Sequence, residues 1–187
     1  MAKIDMKRLQ EKAKLIVDTV KFYKQICSSY PEKMIDDIEN VIGHQIYQCP
    51  ESLEELWCGA VSLGAIYSKL QGKNDRITGD HIYSRKQSGR ELLNMDSRKL
   101  TVRNYMKWYK EKYGVIAFVT ASENAKLSQY QRETGDTNPT RTYKNAGVVP
   151  IKVSNEERKA ILKGDKDTIM EVLREYHRNG PERIVNF

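Results

Sequence analysis

The sequence predicts an α+β protein that is mostly α, with an N-terminal helical bundle packed on a small β-containing core. Two observations carry this. Apolar residues recur at i, i+3, i+4 and i+7 through the first 70 residues, and after residue 72 the texture changes to short β-compatible runs broken by polar helices. With 187 residues, 39% apolar and 30% charged, the chain can bury a core beneath a heavily charged surface.

Residues 4–28 place Leu9, Ala13, Ile16, Val17 and Val20 on one helical stripe, and Glu11, Lys14, Asp18 and Lys21 on the outside. Pro31 breaks that helix, because proline disfavours helix in the residue before it. A second helix is expected over 31–47, with Met34, Ile35, Ile38, Val41, Ile42 and Ile46 on one side, and a third over 51–70. Residues 71–75 (QGKND) form a turn. The segment 76–83 (RITGDHIY) reads as a short strand, 85–94 and 98–113 as helices, and 115–120 (VIAFVT) as a strand. Thr120 or Ser122 caps the next helix, with Glu123 in its first turn. Residues 134–142 read as a polar loop, 148–153 as a strand, and 155–162 and 165–178 as closing helices. The expected division is 1–72 helical, 73–146 a core with an insertion at 82–114, and 147–187 a C-terminal strand and helices packed on that core.

Charge is segregated. Residues 81–146 hold 13 Lys and Arg against 6 Asp and Glu, which is the whole net charge of +7, while the rest holds 19 of each sign. Tyr83, Tyr105, Trp108, Tyr109, Tyr113, Tyr130 and Tyr143 lie in the same window. A basic region interleaved with aromatics is the footprint of a nucleic-acid partner. The uncharged stretch 56–67 is shorter than the ~20 residues that span a bilayer. The N-terminus lacks the apolar core of a secretory signal, so a soluble cytoplasmic protein without a membrane partner is expected. The helical N-terminal part offers a surface for a homodimer.

Cys27, Cys49 and Cys58 have no CxxC spacing and read as free thiols rather than a disulfide framework or zinc knuckle. With only His44, His81 and His177, a histidine-rich metal site is excluded. Walker A, GxGxxG and GxSxG patterns are absent, and so are the acid-x-Lys strand of PD-(D/E)xK nucleases and the GIY-YIG element.

The chemistry-bearing residues are Gly79-Asp80-His81 at the end of one strand and Asn124 in the helix after another, a strand, strand, helix succession. Consecutive strand residues point to opposite faces. One of the Asp-His pair can ligate a metal while the other faces a water, and the asparagine can add an oxygen. Oxygen ligands suit Mg²⁺ (or Mn²⁺), and an imidazole can take a proton from water.

These residues, Asp80-His81 with VIAFVTASENAKL at 115–127, resemble the His-Me finger, or HNH-type ββα-metal, nuclease superfamily. The resemblance implies a ββα-metal core with a helical insertion, His81 as general base and Asp80 as metal ligand. It gives Asn124 either as a second metal ligand or as the residue that orients the histidine; in the latter case Gln129, Gln131 or Glu133 supplies the second ligand. The implied activity is metal-dependent endonucleolytic hydrolysis of phosphodiester bonds, in DNA before RNA. Arg85 and Lys86 are then candidate phosphate clamps, Arg90 shares their helical face, and Lys126 and Arg132 extend the nucleic-acid-binding set. The competing expectation is a nucleic-acid-binding accessory protein without catalysis.

Overall fold

The structure is a computed structural model that describes residues 5–48 and 56–187. It is a mostly helical α+β protein with one mixed four-stranded sheet. In chain order the elements are α1 (Met6–Ile26), α2 (Glu32–Tyr47), β1 (Trp57–Ser62), α3 (Leu63–Leu70), β2 (Ile77–His81), α4 (Arg85–Asn94), α5 (Val102–Trp108), β3 (Ile116–Thr120), α6 (Ala121–Thr134), α7 (Pro139–Asn145), β4 (Pro150–Lys152), α8 (Asn155–Lys163) and α9 (Lys166–Asn179). They gather into two compact units, Met1–Leu56 with His81–Val115, and Trp57–Asp80 with Ile116–Phe187. No helix among the described residues is long and apolar enough to cross a membrane.

The first unit is helical. The stripe read from α1 is buried: Leu9, Ala13, Ile16, Val17 and Val20 meet Ile38, Ile42 and Ile46 of α2, Leu92 and Leu93 of α4, and Tyr105, Tyr109 and Tyr113. Glu11, Lys14, Asp18 and Lys21 are exposed, as their positions on the helix require. Lys24 Nζ donates to the Leu93 and Met95 carbonyls (2.6 and 2.7 Å), closing the C-terminal end of α4. Thr101 caps α5, and its last turn widens into a π-helical turn over Tyr109–Tyr113.

Helices α2 and α4 approach through two glycines. A Cβ on Gly89 would sit 1.9 Å from the Glu39 carbonyl oxygen, and one on Gly43 2.0 Å from that of Arg85. Both obstacles are backbone and cannot rotate away. Gly89→Ala is therefore expected to destabilise the protein by about 3 kcal/mol or more. Gly72→Ala, at a left-handed turn position with open space around it (φ +63°), should cost about 1–2 kcal/mol. Urea unfolding of the two variants checks this; equal losses would mean that α2 and α4 are not held in contact.

In the second unit the sheet order is β2-β3-β1-β4, with β1 parallel to β3 and antiparallel to β4. The Ala121 N–H donates to the Arg76 carbonyl (2.8 Å) at one end of the β2–β3 pair, and Ile82 N–H to the Val115 carbonyl (3.1 Å) at the other, so this pair is antiparallel. Val61, Ile116, Phe118 and Ile151 bury one face of the sheet with Ile161 of α8 and Ile169, Val172 and Leu173 of α9.

Three expectations are corrected. The third helix was expected over 51–70, but Trp57–Ser62 is a strand and the helix begins at Leu63, capped by Ser62; residues 51–55 lie outside the described part. Ala60, Val61 and Ser62 are buried in the sheet interior, and a strand buried on both faces has no alternation to distinguish it from helix. The helix expected over 98–113 begins at Val102. The loop expected over 134–142 contains the start of α7, where Asn138 caps and Pro139 takes the first helical position.

Candidate functional site

Asp80 and His81 end β2 as expected, but their environments differ. Asp80 belongs to the second unit, where the hydroxyl of Tyr143, on α7, donates to Asp80 Oδ2 (2.5 Å). Burial pushes the Asp80 carboxyl up to about 6, against the lowering effect of that hydrogen bond. Tyr143 is 2% exposed, and burial followed by the Asp80 charge raises its phenol well above the ordinary range. Asp80 thus carries a charge that burial penalises, and no salt bridge among the described residues balances it.

His81 belongs to the first unit. Tyr47, at the end of α2, stacks on its ring with centroids 3.9 Å apart and planes 18° from parallel. The Tyr47 hydroxyl donates to the Tyr83 carbonyl, so one side chain clamps the strand end on both sides of Ile82. His81 Nε2 is buried and has no hydrogen-bond partner among the described residues. Burial, and then the charge of Arg85, lower its pKa to about 4. The imidazole is therefore neutral at neutral pH, with an unused ring nitrogen.

Arg85 opens α4 behind the Ser84 cap and is exposed. Its guanidinium carbon lies 5.6 Å from the centre of the Tyr47 ring, and Nη1 is 3.4 Å from His44 Nδ1. It has no carboxylate partner among the described residues. Lys86 and Arg90, expected beside it as phosphate contacts, are instead engaged within the unit. Lys86 Nζ is 2.6 Å from Asp36 Oδ2, and Arg90 donates to both oxygens of buried Glu39 (3.0 and 3.1 Å). An acid this buried needs its cation, so Arg90 is a fixture of the α2–α4 contact.

Asn124 lies in the first turns of α6, where the expected cap is a full capping box: the Thr120 hydroxyl accepts from Glu123 N–H and Glu123 Oε2 accepts from Thr120 N–H. Glu123 Oε2 also accepts from the Ser62 hydroxyl (2.5 Å), and Gly64 leaves room for it, since a Cβ there would lie 2.3 Å from Glu123 Oε1. Ser122, Glu123 and Lys126 line a cleft of about 540 Å³ at the carboxyl ends of β1 and β3. The Asn124 amide makes no side-chain hydrogen bond among the described residues. Gln129 donates to Glu133 (2.7 Å) along the exposed face of α6, so these alternative ligands occupy each other. Lys126 and Arg132 are exposed.

Sequence reasoning missed Tyr47, Tyr143 and the Ser62–Glu123 link. Tyr143 was findable in part, since Asn138-Pro139 signals a helix that carries it; nothing local ties Tyr47 to His81. Cys27 and Cys58 are free, and burial raises both thiols, Cys58 to about 11, so neither is an activated nucleophile. Cys49 lies outside the described residues.

Among the described residues, no group of three or more His, Cys, Asp and Glu could hold a metal ion. The donors that remain are one penalised carboxylate and one open amide. Asp80 and Asn124 share no hydrogen-bond partner among the described residues; the start of α6 is tied to Arg76 and Asp75, at the other end of β2 from Asp80. The chain matches no protein-family model, no curated protein sequence and no solved structure.

Proposed function

We propose that the protein is a metal-dependent endonuclease built on a ββα-metal core, hydrolysing phosphodiester bonds of nucleic acid, DNA before RNA. The observation that carries this is His81 Nε2: a buried ring nitrogen, neutral at neutral pH and without a hydrogen-bond partner among the described residues. A buried polar atom left unpaired calls for a reason, and a base that waits for a water is one. The antiparallel β2–β3 pair followed directly by α6 supports the ββα reading.

In this reading His81 takes the proton of the attacking water at Nε2, and Tyr47 holds the ring in place by stacking. By the resemblance Asp80 and Asn124 would be the residues that hold a divalent cation through oxygen atoms, and such a cation would stabilise negative charge on the phosphate. A cation there would also balance the Asp80 charge that burial penalises. Arg85, the exposed cation nearest His81 in sequence, is left to engage a phosphate oxygen through its paired donors.

Incubation of the full chain with plasmid, single-stranded DNA and RNA tests the proposal, with Mg²⁺, Mn²⁺ or EDTA. Cleavage is expected with either metal and not with EDTA. Salt-sensitive binding without cleavage under every condition would instead select the non-catalytic accessory protein.

A further inference from the structure

Five of the 13 cations in residues 81–146 answer a carboxylate: Lys86, Arg90, Arg98, Lys112 and Arg141. The excess charge therefore sits elsewhere. Lys99, Arg103, Lys107 and Lys110 are all exposed, and none has a salt bridge among the described residues. They follow one another along α5, the turn before it and the π-helical turn after it. Tyr105 and Tyr109 point inward and are fully buried, with Val102 and Met106 packed alongside, which fixes Arg103, Lys107 and Lys110 on the opposite, solvent side. Carboxylates border this row, Asp5 among them as the neighbour of Met6. Asp96 is held by Arg98 (2.8 Å), and Glu111 is exposed at the border of the row. The Lys110 ammonium rests 3.6 Å from Met6 Sδ.

We infer that this face of α5 is where a nucleic-acid backbone docks, through Lys99, Arg103, Lys107 and Lys110. At ~1.5 Å per residue, Arg103 to Lys110 covers about 10 Å. That matches about three phosphates of one strand at ~3.4 Å of helix axis each. A row of unpaired cations recruits a polyanion by charge complementarity and counterion release. An anionic membrane is a poorer match, since no large apolar side chain is exposed between Lys99 and Lys112 and the one in contact with the row, Met6, is engaged by the Lys110 ammonium. The inference rests on the nuclease reading and deepens it: the contacts expected at Lys86 and Arg90 move to α5, because the former two cations are spent on Asp36 and Glu39.

The test is the salt dependence of binding to a labelled oligonucleotide in EDTA, so that no cleavage intervenes, over about 50 to 200 mM salt. The variant is Lys99→Gln, Arg103→Gln, Lys107→Gln and Lys110→Gln combined. A charge-matched control changes Lys152, Lys159, Lys163 and Lys166 to Gln, all exposed in the second unit. The α5 variant should lower the slope of log K against log salt by about 3, at ~0.7 to 0.9 per lost phosphate contact, and the control should leave it unchanged. Unchanged melting temperatures would show that both variants fold. Equal flattening in both would overturn the inference in favour of net charge. If the wild type cleaves and the α5 variant binds like it, the α5 inference fails and the nuclease reading stands. If the wild type neither binds nor cleaves any nucleic acid, both fail. Binding of the wild type to phosphatidylserine vesicles through α5, with no affinity for the oligonucleotide, would replace the nucleic acid by a membrane.

Discussion

Asp80→Asn is expected to make the metal-free protein more stable at neutral pH while removing cleavage. The Asp80 pKa is about 6 in the folded chain against an ordinary value of 3.8, so the folded state favours the protonated carboxyl. The stability this gives is fully present below the unfolded value and is lost as pH rises through about 6. Up to about 3 kcal/mol separates those limits. Asparagine keeps an oxygen to accept from Tyr143 and carries no charge to bury, so it escapes the loss. His81 works in the opposite direction: its folded pKa of about 4 lies below the usual 6.5, so its contribution is present above 6.5 and is lost as pH falls through about 4. In the wild type the two slopes oppose each other at mildly acidic pH; in Asp80→Asn only the His81 slope remains. Melting curves in EDTA from neutral to acidic pH check both statements. A lower melting temperature for Asp80→Asn at neutral pH would mean that the carboxylate is required to hold the fold, not kept for a ligand.

The same carboxylate links stability to function. A site that keeps an ionised acid out of water sacrifices folding stability, and a cation that binds only the folded chain returns it. Added Mg²⁺ or Mn²⁺ should therefore raise the melting temperature of the wild type and leave Asp80→Asn unmoved.

The helices of the first unit were legible because an amphipathic stripe writes its buried face into local spacing, as Leu9 to Val20 and Ile38, Ile42 and Ile46 show, although Met34 and Val41, expected on the same side of α2, are exposed. Strand β3 was legible as a continuous β-forming run before a capping box. Strand β1 was not, because WCGAVS runs into LGAIY without a change of polarity, and only the hydrogen bonds to β3 and β4 separate strand from helix. Asp80 and His81 were legible as the end of a strand and Asn124 as the head of a helix, but their surroundings were not. Tyr47 is distant in sequence from His81, and so is Tyr143 from Asp80. Charge was legible as a total and not as a distribution. Asp36 and Glu39 reach Lys86 and Arg90 only because Gly43 and Gly89 let α2 and α4 close, a non-local event that counting cations does not reveal.

The most direct test of the central claim is the cleavage rate of His81→Ala beside the wild type at neutral pH in Mg²⁺, with oligonucleotide affinity measured in EDTA and folding checked by its melting curve. A positioned base contributes at least ~10²-fold, so the variant should lose that much rate and keep its affinity. Because the His81 pKa of about 4 leaves the imidazole neutral at neutral pH, loss of this base should set in only towards that value, below the fall near pH 6 that protonation of Asp80 brings. A His81→Ala protein that folds, binds and cleaves at the wild-type rate would contradict the account.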